Sequence, residues 1–142
     1  GLMGVEAVVF FDPAKAWEFE LRRKRGGHLF SKHRYLSAQM AAYLRGDLWK
    51  DLARRANDKA AHLHESIRKR SDVQIVNDVT ANMIFFNAPR ALHQTLQAAG
   101  AKYHVSGGLT GDADALLRGR LVCDWSIPDA EIDRFVSLLT TA

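Results

Sequence analysis

The segment Val5–Phe11 is rich in Val and Phe and does not alternate polar with apolar residues, which is the texture of a strand buried on both faces of a sheet. Such a strand needs a hydrogen-bonded neighbour on each side. The next strand-like run begins only near Val73, so the pattern implies a chain that starts inside a sheet and forms part of something larger.

Asp12-Pro13 reads as a helix start, with Asp as cap and Pro in the first turn. Ala14, Trp17 and Leu21 share a face of the helix that follows, and Gly26-Gly27 ends it. A second helical pattern runs from about Lys32 to Arg45, with Leu36, Met40, Tyr43 and Leu44 apolar and Gly46 placed to stop it. Asp47 then opens a longer helix whose stripe Leu48, Leu52, Ala56, Ala60, Leu63 and Ile67 steps by four and three.

The texture changes after Arg70. Strands are expected at Val73–Val76, Asn82–Asn87, Lys102–Ser106 and Arg120–Trp125, with a helix from Pro89 to Gly100 and another from Pro128 to Leu139. Residues 71–142 therefore read as an α+β unit, a small sheet with helices on one face. At 142 residues, with 47% hydrophobic and 25% charged residues, the chain has globular composition. No run approaches a membrane span, so no membrane role is expected. Cys123 is the one cysteine and sits in an apolar run, which excludes an internal disulfide and fits a buried thiol in a reducing cytoplasm. No secretory signal is visible in the first residues.

Chemistry concentrates in two places. Between Arg22 and Arg34 lie Arg22, Arg23, Lys24 and Arg25, a glycine pair, then His28, Lys32, His33 and Arg34. The glycines allow a sharp turn and the cations can converge on a phosphate or carboxylate; a solvated helix end explains the same charges. The formal charge of +4 is gathered between Arg22 and Arg70, while residues 71–142 are slightly acidic, which suits a local anion site or subunit contact as well as it suits nucleic acid. Arg120, entering the apolar run Leu121-Val122-Cys123, can offer a bidentate fork to a carboxylate or simply face water from an edge strand. The histidines lack metal-ligand spacing, since His62 and His64 point to different helix faces and His93 and His104 have no nearby carboxylate in sequence.

Taken in order, Gly1–Phe11, Arg22–His28, and Ser31-Lys32 with Arg34 resemble the later part of bacterial low-specificity L-threonine aldolases. These are pyridoxal-phosphate enzymes of the aspartate-aminotransferase fold type, grouped with the β-eliminating lyases. The likeness extends through Asn82–Phe86 and Arg120–Val122 and is most specific in the first 45 residues. It implies an α/β protein, α+β for this portion. Residues 1–46 would form the end of a pyridoxal-phosphate-binding large domain, 47–70 a connecting helix, and 71–142 a small C-terminal α+β domain with an antiparallel sheet. By the same resemblance Arg120 matches the arginine that grips the α-carboxylate of the amino-acid substrate. Lys32, with Lys24, Arg25 and His28, matches a region near the cofactor phosphate at a subunit boundary. Many relatives carry three glycines, Met and Arg where this chain has Gly26-Gly27-His28-Leu29-Phe30-Ser31-Lys32.

The Schiff-base lysine of the family would precede Gly1 by about two residues, and none of the seven lysines present has its context, so the chain is expected to be inactive alone. The implied reaction is cleavage of L-threonine or L-allo-threonine to glycine and an aldehyde by a cytoplasmic homo-oligomer, dimer or tetramer, with no nucleic acid or membrane partner. Two rival readings remain open: a basic nucleic-acid-binding module built on Arg22–Arg34, and a non-catalytic subunit partner.

Overall fold

The computed structural model describes residues 2–29 and 31–141; Gly1, at the start of the first family-like run, and Phe30, in the basic segment, lie outside the described residues, as does Ala142. The elements in order are α1 (Ala14–Arg25), α2 (Arg34–Leu44), a 3₁₀ turn (Arg45–Asp47), α3 (Leu48–Ile67), β1 (Gln74–Ile75), β2 (Met83–Pro89), α4 (Arg90–Ala98), β3 (His104–Ser106), β4 (Leu116–Val122) and α5 (Asp129–Thr141). They fall into two compact units divided between Trp49 and Lys50.

In the first unit α1 begins as Asp12-Pro13 dictates: Pro13 adopts helical angles, and Asp12 Oδ1 accepts the Ala14 N–H at 3.1 Å. The expected strand Val5–Phe11 is not formed. Among the described residues no segment pairs with it, and a lone extended chain leaves its backbone groups to water. Phe10 packs on Phe19 of α1 with ring centroids 5.1 Å apart, while Val9 and Phe11 stay exposed, as does Trp17 on α1. Gly46 turns the chain between α2 and α3 at φ +59°, a conformation that its lack of a Cβ makes accessible.

The second unit is built on an antiparallel sheet of strand order β1-β2-β4-β3. Phe86 pairs with Gly119, Phe85 with Arg120 and Asn87 with Arg118; on the other side of β4, His104 pairs with Arg120 and Ser106 with Arg118. Alternation puts Ile84, Phe86, Ala88 and Leu121 on the core face, where they meet Ala60, Leu63 and Ile67 of α3, Leu92 and Leu96 of α4, and Ile132 and Leu139 of α5. The stripe of α3 is thus part of this core, with Ala60 and Ile67 fully buried, while its first turn at Leu48 remains exposed. Leu116–Val122 replaces the expected strand Arg120–Trp125. Its polar members Arg118 and Arg120 alternate with buried positions, and the ladder to β2 continues back to Leu116 opposite Pro89. Beyond Val122 the chain turns, with Asp124 Oδ1 accepting from the backbone N–H groups of Ser126 and Ile127.

Gly119 is where sheet and helix approach most closely. A Cβ there would lie 2.5 Å from the Phe86 ring and 3.0 Å from His93 Cε1. His93 is wholly buried, yet both ring nitrogens are satisfied: Nε2 stands 3.1 Å from the Leu117 carbonyl and Nδ1 2.8 Å from the Tyr103 hydroxyl. Because the carbonyl can only accept, Nε2 carries the proton and Nδ1 accepts from Tyr103. Burial holds the imidazole pKa below its ordinary value and pushes the Tyr103 hydroxyl up.

Two outcomes follow from this packing. Gly119→Ala should cost about 1–3 kcal/mol in chemical denaturation, since neither ring has space to retreat; an unchanged midpoint would contradict the close approach. Since the folded-state pKa of His93 lies below 6.5, folding excludes a proton that the unfolded chain binds. Its stabilising contribution is therefore complete above about pH 6.5 and lost as the pH falls through the depressed folded value. The urea midpoint of the chain should be level from pH 8 to 7 and decline from pH 6.5 downward, before Asp72 and Asp124, whose pKa values are held low by hydrogen bonds, begin to titrate.

Candidate functional site

The cationic segment folds as a helix end, a turn and a helix start. Gly27 N–H donates to the Lys24 carbonyl at 3.1 Å and His28 N–H to the Arg23 carbonyl at 3.0 Å, with Gly27 at φ +77°, the bonding pattern of a Schellman cap. Arg22, Arg23, Lys24 and Arg25 occupy the last turn of α1, where the partial negative charge of the helix end favours them. The ring of His28 folds back over Gly26, whose missing Cβ would meet His28 Cδ2 at 3.1 Å. Glu18 and Glu20 engage Arg22 and Arg23, whereas Lys24, Arg25 and Lys32 have no acidic partner among the described residues.

At the other end of the turn, Lys32 holds φ +65°, a left-handed conformation that a side chain enters only at a cost. Directly after it α2 begins with no acid in its first turn and no side-chain cap. Its N-terminus, where the helix dipole favours an anion, carries Lys32, His33 and Arg34 instead. Lys24 and Arg25 thus end α1, and His28 and Lys32 lie in the exposed segment that links it to α2, all within the first unit.

Arg120 belongs to the second unit and stands in the middle of β4 on the face turned away from the helices. It is exposed, with Phe85 directly across on β2 and His104 across on β3. On the helix side the same strand borders a cavity of about 420 Å³, walled by Leu63, Tyr103, Leu121, Ile132 and Phe135. Arg118, two residues before Arg120 and on the same open face, is an arginine that sequence reading passed over, because the strand was placed to begin at Arg120. The alternation Leu116, Arg118, Arg120, Val122 on the exposed side was the available signal. Cys123 is buried and its thiol pKa is raised by burial, the state of a structural thiol. No group of three metal-ligating side chains comes together among the described residues, and no helix there is long and apolar enough to cross a membrane.

The fold of a helix-flanked antiparallel sheet preceded by helices has precedent among solved structures. The solved structure of Leishmania major threonine aldolase superposes with a TM-score of 0.72 at 20% identity, over 84% of this chain and 33% of that one. Lactobacillus brevis glutamate decarboxylase gives a TM-score of 0.50 at 16% identity, over 62% of this chain and 22% of that one. The fold is thus that of a portion of these enzymes. The low-specificity L-threonine aldolases of Pseudomonas aeruginosa and Pseudomonas sp. NCIMB 10558 are 31% and 28% identical to the chain over 134 and 132 residues. That is 94% and 93% of this chain, which spans 36% of each relative's length. No family model matches. The chain is thus similar in sequence to low-specificity L-threonine aldolases over about a third of their length, and similar in fold to a portion of a threonine aldolase.

The strained turn yields a direct check on its purpose. Lys32→Gly removes the left-handed penalty, and should leave thermal stability unchanged or raise it by about 0.5–1 kcal/mol. A loss larger than 1 kcal/mol would show that the lysine is there for packing rather than for its charge.

Proposed function

We propose that this chain supplies the carboxylate-binding arm and a phosphate-binding turn of a pyridoxal-phosphate-dependent aldolase that cleaves β-hydroxy-α-amino acids, L-threonine and L-allo-threonine, to glycine and an aldehyde. The observation that carries the reading is Arg120: an exposed guanidinium without an acidic partner among the described residues, held on a rigid strand, in a chain similar in sequence to threonine aldolases. The donor set of the basic turn fits the phosphate end of the cofactor. Lys24, Arg25 and Lys32 supply positive charge, His28 a ring donor, and the N-terminus of α2 oriented N–H groups. When bound, the cofactor supplies the electron sink for carbon–carbon cleavage.

The chain's own contribution is binding and orientation. A guanidinium fork holding the α-carboxylate through two parallel hydrogen bonds fixes the rotation of the amino acid about its Cα, so that the Cα–Cβ bond is presented in one direction only. The sheet behind Arg120 makes that direction reproducible, because β4 is hydrogen-bonded on both sides at this residue. The basic turn anchors an anion and neutralises its charge. We place no proton-transferring group and no Schiff-base lysine within these residues, and expect the 142-residue chain to be inactive alone. The exposed Phe11 and Trp17 of the first unit suit a surface covered in a homo-oligomer, and the single buried cysteine suits a reducing cytoplasm.

Full-length protein carrying this chain should release glycine from L-threonine and show the absorbance band of bound pyridoxal phosphate; absence of both would refute the reading. Arg120→Ala in that protein should raise the KM for threonine roughly 10- to 100-fold, the loss expected for a charged hydrogen-bond pair. An unchanged KM would remove Arg120 from the substrate site.

A further inference from the structure

The open face of the sheet carries two arginines where binding one carboxylate requires one. Arg118 and Arg120 are alternate residues of β4 and point to the same side, roughly 7 Å apart along the strand. Their cross-strand neighbours form two rows, Phe85–Arg120–His104 and Asn87–Arg118–Ser106. The remaining positions of this face are apolar, amide or hydroxyl side chains, and none is an acid.

Several cations elsewhere in the second unit are matched, while Arg55, Lys69 and Lys102, exposed on a helix or in loops, stand without a carboxylate within 4.0 Å among the described residues. Arg54, Lys59, Arg68, Arg70 and Arg134 each lie within 4.0 Å of a carboxylate, and Arg90 is held by the carbonyls of Gly108 and Asp112. Arg118 and Arg120 have no such carboxylate among the described residues. The Asp112 carboxylate accepts the backbone N–H of Asp114 within its own turn before the strand, and Asp124 after it caps the Ser126–Ile127 turn. Two adjacent like charges on a strand repel, and a sheet that keeps both without an intervening acid is complementary to an anion. Arg118 is moreover steered: its Nε donates to Asn87 Oδ1 at 3.4 Å, which leaves both terminal nitrogens of the guanidinium available outward.

We infer that Arg118 forms a second anion position beside Arg120, and that the substrate class of the proposed site is β-hydroxy-α-amino acids bearing a second acidic group on or beyond Cβ. The inference rests on the proposed role of Arg120 and adds to it. A β-carboxylate placed two or three bonds from the α-carboxylate reaches the neighbouring guanidinium on the same strand, whereas the methyl group of threonine offers that guanidinium nothing.

The test compares two ligands that differ at that one group, L-threonine and threo-3-hydroxyaspartate, by amide chemical-shift titration of the isotope-labelled full-length protein that carries this chain, free of cofactor. Binding is read directly, so no cofactor or turnover is needed. The native protein should bind 3-hydroxyaspartate about fivefold more tightly than threonine, the scale of one partly exposed charge pair. Arg118→Gln should bring the ratio near one and leave threonine affinity unchanged, while Arg120→Gln should weaken both ligands. Both side chains are exposed, and a native-like spectrum of each variant establishes that it is folded. Equal affinities in the native protein, a preference that survives Arg118→Gln, or no saturable shift with either ligand overturns the second anion position. Threonine binding indifferent to Arg120→Gln instead overturns the carboxylate role proposed for that residue.

Discussion

The contact on which the second unit depends is Phe86 lying across Gly119. A glycine inside a strand costs about 0.5–1 kcal/mol relative to a residue with a side chain. Burying a phenylalanine returns about 1.5–3 kcal/mol, and the same gap admits His93, whose two hydrogen bonds tie α4 to β4 and to Tyr103. That exchange settles the parity of β4. With Gly119 and Leu121 turned inward, Arg118 and Arg120 can only point outward, and a shift of one residue would bury both guanidinium groups without partners. The chemistry of the open face is therefore a consequence of the core behind it.

Helices were the most legible part of the chain. Their periodicity and end signals are local: Gly26-Gly27 produced the cap of α1, and the stripe Ala56, Ala60, Leu63 and Ile67 produced the buried face of α3. Strands were legible only where one face is dry. The alternation of β2 from Met83 to Pro89 has that form, but Arg118 and Arg120 disguised the start of β4, because long cationic side chains on a solvent face resemble a loop. Val5–Phe11 fails for a different reason. Its composition encodes a strand, but hydrogen-bonding partners are not encoded in a strand's own residues, and none is provided among the described residues.

The site residues divide along the same line. Arg120 was visible as an arginine entering an apolar run; that it shares a row with Phe85 and His104, and a face with Arg118, depends on a register that pairs residues 16 to 35 positions apart in sequence. The basic turn was visible as a charge cluster, and its geometry divides it. The dipole of α1 accounts for Arg22 to Arg25 without any ligand, so their presence is weak evidence for an anion site. Lys32 and Arg34 stand at the N-terminus of α2, where the same electrostatics disfavours cations, and Lys32 is additionally in a left-handed conformation. A residue held against both its backbone preference and its local field is the stronger indicator of function.

The two groups also differ in the kind of support they have, and that difference matches what each is proposed to hold. A phosphate is a nearly spherical charge that several donors can satisfy from many directions, so an exposed turn between two helices suffices for it. A carboxylate whose orientation decides which bond is presented for cleavage needs a donor fixed in both position and plane. Arg120 has that support, since its strand is bonded on one side to β2 and on the other to β3, with the Phe86–His93–Tyr103 cluster packed beneath. Arg118 shares the same two-sided support, and its guanidinium is also steered by Asn87. A solvated surface arginine gains nothing from such placement. The two-sided pairing of β4 at both positions is the support that the proposed reading of an anion's shape, rather than merely its charge, requires.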